Sequence, residues 1–109
     1  MSQDLEKSLR AKHRVFFDHP DAPQSIACGD GWYPLLDALL TELTPLLAAT
    51  AHLSNPPRLY EISSRNGRLK VLLRPLTPEM AALIHRAEAQ AEATCERCGA
   101  PRAACACPK

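Results

Sequence analysis

Four of the five cysteines in this chain fall within thirteen residues, as Cys95-Glu96-Arg97-Cys98-Gly99 and then Cys105-Ala106-Cys107. This spacing, C-x2-C-x6-C-x-C, constrains the fold more than any other feature, because thiols so crowded need a common ligand or a reason to stay apart. A Cys-x-x-Cys pair lets two thiolates grip one ion while backbone N–H groups turn toward the sulfurs, and the glycine after the pair relieves the tight turn. With the second pair, Cys95, Cys98, Cys105 and Cys107 supply four soft ligands in one short loop, the number and type of a closed tetrahedral Zn²⁺ site. Four thiolates leave no open coordination position, so the expected zinc is structural and not catalytic. The same residues also admit two other readings: a disordered tail with free thiols, and a redox-active or iron-bound site.

A chain of 109 residues, 46% apolar and 23% charged, reads as one small soluble domain. At this length folding removes only roughly 60 to 65% of the unfolded chain's surface from water, so a metal staple matters to stability. Aromatic residues make up 5% (Phe16, Phe17, Trp32, Tyr33, Tyr60), which leaves leucine and alanine to build the core and favours helices over a β-sandwich. The sequence has no apolar run of membrane-spanning length, and it opens on the acidic, polar stretch Met-Ser-Gln-Asp-Leu-Glu, unlike a secretory signal. The expected location is the cytoplasm, with no membrane contact. Thiols are kept reduced there, which places metal ahead of disulfides.

Periodicity predicts a helix from Gln3 to about Phe17, with Ser2 as its cap and Asp4 and Glu6 in its first turn. Ser25 to Cys28 reads as a short extended piece, and Gly29-Asp30-Gly31 as a turn whose glycines allow positive φ, with Asp30 capping the next helix. That second helix starts near Trp32 or Pro34 and carries the densest apolar stripe, Leu35, Leu36, Leu39, Leu40, Leu43 and Leu47 among it. Pro45 is expected to kink this helix or to begin a short further one running to about His52. Asn66-Gly67 is a hairpin loop signal. As a two-residue type I′ turn it pairs Arg65 with Arg68, Ser64 with Leu69, Ile62 with Val71 and Tyr60 with Leu73. Thr77-Pro78-Glu79 starts a third helix with the stripe Met80, Leu83, Ile84, Ala87 and Ala91. The expected fold class is α+β: about three helices packed on one β-hairpin, with a C-terminal zinc-binding loop. The helical and hairpin body spans 1–94 and the four-cysteine zinc-binding tail 95–109, together one compact domain.

Two resemblances accompany these motifs. The tail, with Pro101 three residues after Cys98, resembles the cysteine motif that opens the DTW-domain tRNA aminocarboxypropyltransferases. The likeness covers thirteen residues, and the chain has no Asp-Thr-Trp signature, so it implies metal binding and not transferase activity. Over residues 28 to 99, Cys28-Gly29-Asp30-Gly31-Trp32, Gly67-Arg68-Leu69-Lys70-Val71 and Cys95-x-x-Cys98-Gly99 resemble a group of small uncharacterised bacterial and bacteriophage proteins. Those proteins carry a CGDGW-type helix start, a basic Gly-x-Leu-Arg-Phe strand and a terminal Cys-x-x-Cys. This chain lacks their basic Lys-Glu-Lys-Phe run before the glycine. The resemblance implies a phage or mobile-element origin and little chemistry.

Charge is unevenly placed. Residues 1–54 hold four Lys or Arg against seven Asp or Glu, a net −3, and residues 55–109 hold nine against five, a net +4. Arg65, Arg68, Lys70 and Arg74 gather on one face of the hairpin with Leu59, Glu61, Ser63 and Leu72. Together with Arg97 and Arg102 of the cysteine loop they form a candidate surface for a partner or for nucleic acid. The plain alternative is a solubilising face that discourages edge pairing. Cys28 is expected to be a core thiol beside Trp32 and not a nucleophile. Asp30 and Asp37 read as a cap and a solvated acid, and His85 as a spare metal ligand to check. Nothing pairs a nucleophile with a base, so no enzyme and no small-molecule substrate are expected. The reading is a non-enzymatic zinc-binding interaction protein, of phage or prophage derivation, that modulates or inhibits a host complex such as a defence or gene-expression machine through a protein partner. The alternative is a zinc-dependent nucleic-acid-binding module using the basic ribbon.

Overall fold

The computed structural model describes residues 1–20, 22–23, 26–50, 54, 56–65 and 67–101. Among them four helices and one antiparallel hairpin form an α+β fold. Helix α1 (Gln3–Lys12) starts as expected, with the Ser2 hydroxyl accepting from the Leu5 N–H at 3.5 Å, and with acids in its first turn and bases in its last to suit the helix dipole. The single helix expected as far as Phe17 is interrupted at His13 (φ −122°, ψ 48°) and resumes as α2 (Arg14–Phe17). The cause is tertiary: His13 leaves helical geometry as its ring, 6% exposed, reaches Asp37.

A turn of 3-10 helix, Asp30–Trp32, leads into α3 (Tyr33–Ala49), where Pro34 sits in the first turn and its missing N–H has no partner to lose. Leu36, Leu39, Leu40, Leu43 and Leu47 are buried and form the centre of the core. Of the two outcomes expected at Pro45, a further helix does not form, since α3 runs through the proline to Ala49. The carbonyl that loses its donor belongs to Thr41, an exposed residue, and the Thr44 hydroxyl ties the turn ahead by donating to the Leu40 carbonyl at 2.7 Å. The stretch expected to reach His52 lies outside the described residues from 51 to 53.

Strands β1 (Arg58–Arg65) and β2 (Arg68–Arg74) pair as the hairpin signal predicts from Arg65↔Arg68 through Ser64↔Leu69 to Ile62↔Val71, and Gly67 takes φ 78°. Asn66 is outside the described residues. Beyond Glu61 the register departs from expectation: a bulge between Leu59 and Glu61 sets Leu59, not Tyr60, opposite Leu73. Leu59 therefore belongs to the core face, fully buried, and not to the basic face. Half-buried Tyr60 meets the His19 ring edge-on, while the His19 Nε2 donates to the Leu59 carbonyl at 2.8 Å. Of the extended piece expected at Ser25 to Cys28, Ser25 lies outside the described residues. Ala27 bridges Ser63 in parallel fashion, its N–H donating to the Ile62 carbonyl at 3.1 Å and its carbonyl accepting from the Ser64 N–H at 2.9 Å.

Helix α4 (Pro78–Glu92) is capped by the Thr77 hydroxyl, which accepts from the Met80 N–H at 3.3 Å. Its buried stripe, Met80, Ile84, Ala87 and Ala91, packs against α3 and β2, where the alanines permit close approach. Among the described residues no helix is long and apolar enough to cross a membrane.

Candidate metal centre

The chain leaves α4 and turns back sharply at the first cysteine pair. Thr94 bridges Pro101 in antiparallel fashion, the Cys95 N–H donates to the Ala100 carbonyl at 2.7 Å, and the Gly99 N–H donates to the Cys95 carbonyl at 3.0 Å. Gly99 sits at φ 79°, in the left-handed region that favours glycine, which accounts for its place directly after the pair. Cys95 is half-buried and Cys98 exposed on this tight turn. The pair thus sits on a closed backbone loop held by its own hydrogen bonds. Cys105, Cys107 and Arg102 lie outside the described residues, and among the described residues no group of three or more His, Cys, Asp or Glu is placed to hold a metal. His85 is exposed and faces Glu88 at 3.8 Å on its own helix, so it joins no such group.

The turn is docked on the body through Glu96. One carboxylate oxygen accepts from the Gly29 N–H at 2.8 Å, the other accepts from the Ser64 hydroxyl at 2.7 Å, and the Glu96 carbonyl accepts from the Gly31 N–H at 2.7 Å. One residue between the cysteines thus holds both the 29–31 turn and the core-facing side of β1 near the hairpin tip. Next to it the Trp32 indole Nε1 donates to the Thr94 carbonyl at 3.1 Å, anchoring the approach to Cys95. The glycines of the turn have a different reason from the one expected. Only Gly67 and Gly99 carry positive φ among the described residues. Gly29 and Gly31 are needed for space instead. A Cβ on Gly31 would lie 2.5 Å from the Gly99 nitrogen and closer still to the Cys95 carbonyl oxygen; one on Gly29 would lie 2.7 Å from the Glu96 Cγ. Sequence reasoning missed Glu96 altogether. The available signal was the pairing of a Gly-x-Gly turn with a Cys-x-x-Cys-Gly turn, each short of Cβ atoms where the other approaches.

Cys28 is 6% exposed in the core. Burial pushes its thiol up to about 11, and the carboxylates of Glu96, Asp30 and Glu6 add to the effect, outweighing the Met1 amino group. A thiol in such surroundings is held protonated, the opposite of an activated nucleophile. Asp30 does not cap the following helix; its carboxylate accepts from the Ser2 N–H, joining the 29–31 turn to the start of α1. Asp37 is likewise more than a solvated acid. It takes the His13 Nε2 at 2.7 Å and the Lys12 ammonium at 2.9 Å, and these contacts hold its carboxyl below the usual value.

The bulge changes the basic face. With Leu59 turned inward, Arg58 joins Arg65, Arg68, Lys70 and Arg74 on the outward side of the ribbon, all exposed, and Glu61 is the one acid within the two strands. Arg65 reaches Glu61 at 3.5 Å and Arg68 reaches Glu92 at 3.6 Å, both as exposed pairs that water and salt weaken. Arg97, between the cysteines, is exposed. Because Glu96 bonds to Ser64, the cysteine turn sits at the ribbon end that carries Arg65 and Arg68.

The chain matches no protein-family model, no curated protein and no solved structure.

Proposed function

We propose that this chain is a non-enzymatic, zinc-stapled interaction protein of phage or prophage origin. It acts in the cytoplasm by occupying, and so modulating or inhibiting, a host macromolecular complex. The observation that supports this reading is the docking of the first cysteine pair through Glu96 onto Gly29, Gly31 and Ser64, which ties the cysteine turn to the body at the end of the exposed ribbon. Cys95, Cys98, Cys105 and Cys107 are the zinc ligands in this reading, and a closed four-thiolate site supplies structure and not catalysis. The buried Cys28, whose thiol is held protonated, fits a non-enzymatic reading. The ribbon's outward face, with Arg58, Arg65, Arg68, Lys70 and Arg74, is the surface offered to the partner.

That same face favours a second reading, a zinc-dependent nucleic-acid-binding module whose cations contact phosphates. Affinity capture from host lysate, with and without nuclease, separates the two. Proteins retained after nuclease treatment favour the first. Their loss, with salt-dependent binding of a random duplex that falls when Arg65, Arg68, Lys70 and Arg74 are neutralised, favours the second. Neither retained protein nor duplex binding at low salt would contradict both.

A further inference from the structure

We infer that Glu96 couples metal occupancy of the cysteine turn to the position of the ribbon tip, so that the basic face is set by whether the turn is loaded. The inference rests on the reading of the cysteines as a zinc site and adds a means of regulation to it. Three features meet at this residue. Glu96 lies between Cys95 and Cys98, so an ion held by both thiolates fixes its backbone. Its carboxylate spans two separate elements, taking the Gly29 N–H at 2.8 Å and the Ser64 hydroxyl at 2.7 Å. Its carbonyl takes the Gly31 N–H at 2.7 Å, and the packing there is too tight for a Cβ on either glycine.

The path from the cysteines to the basic face is short. Ser64 precedes Arg65, which pairs with Arg68 across the hairpin end, and the Ser64 N–H also holds Ala27 at 2.9 Å. An ion gripped by both thiolates adds to the contacts that already hold Glu96 on Gly29, Gly31 and Ser64, and folding and metal binding in such small sites share one free energy, so removing the ion weakens those contacts. When the turn relaxes, Ser64 and Gly29 lose the same partner together. The hairpin end then loses its tie to the 29–31 turn, and the indole of Trp32 loses a fixed acceptor at Thr94. Glu96 is a positioning residue here: it binds neither the ion nor the partner.

The test is amide hydrogen exchange on the full chain, loaded with Zn²⁺ and then stripped by a chelator, with zinc content measured alongside. The expected result is that chelation speeds exchange at Gly29, Gly31, Arg65 and Arg68 at least tenfold and shifts Trp32 emission. Glu96→Ala is expected to keep its zinc yet to show fast exchange at Gly29 whether loaded or stripped. Ser64→Ala serves where that variant folds poorly: chelation should still open Gly29 and Gly31 but no longer change Arg65 and Arg68. Zinc uptake with no change at these amides on stripping overturns the coupling and leaves the metal site standing. Failure of the wild-type chain to take up zinc overturns the metal site, and the coupling with it.

Discussion

Gly31 and Cys95 are packed so closely that the first cannot carry a side chain while the second keeps its place: a Cβ on Gly31 would press on the Cys95 carbonyl and on the Gly99 nitrogen. Two segments more than sixty residues apart in sequence are therefore fitted backbone to backbone, with Glu96 bonded across the join. Gly31→Ala should lower stability by about 1–3 kcal/mol through overpacking. That corresponds to a fall in melting temperature of roughly 4–8 °C per kcal/mol for a domain near this size. Thermal unfolding of the variant beside wild type measures it, and an unchanged midpoint would mean that the cysteine turn does not rest on Gly31.

The relation between Asp37 and His13 predicts a pH dependence of definite sign. Hydrogen bonding from His13 first, and from Lys12 second, holds the Asp37 carboxyl below its usual value of 3.8. A depressed carboxyl contributes stability that is fully present above the usual value and lost as pH falls through the lowered one. With Asp37 partly exposed, the contribution is on the order of 1 kcal/mol. Urea unfolding between neutral and strongly acidic pH should show wild type losing this increment at the acid end. Asp37→Asn should already lack it at neutral pH, and parallel curves for the two proteins would count against the assignment.

Much of the fold is legible in the sequence where one local rule decides. Ser2 and Thr77 cap α1 and α4, the Asn66-Gly67 signal sets the hairpin register near its loop, and the leucines of α3 form the core. The departures all come from tertiary demands on single residues. His13 breaks the first helix to reach Asp37, and the bulge at Tyr60 turns Leu59 inward while bringing Arg58 to the basic face. Pro45 stays within α3, which runs on to Ala49. The cysteine spacing was visible, but its docking was not. Nothing local to Gly29-Asp30-Gly31 says that another backbone approaches it, and a Glu between two cysteines looks like any solvated acid.

Cys28 should behave as the least reactive of the cysteines. With its thiol pushed up to about 11 by burial and neighbouring carboxylates, roughly one molecule in a thousand carries the thiolate at pH 8. Iodoacetamide labelling of native, chelator-treated protein, read by peptide mass spectrometry, should modify exposed Cys98 long before Cys28, and Cys28 should react only when denaturant is added. Prompt labelling of Cys28 in the native chain would contradict its place in the core.

In the proposed reading the four cysteines form one closed site whose first half is locked to the body through Glu96. Elemental analysis of freshly reduced, purified protein addresses this most directly. The predicted result is one zinc per chain, lost on replacing Cys95, Cys98, Cys105 or Cys107 with alanine and retained in Cys28→Ala. Metal-free protein that remains folded would contradict it.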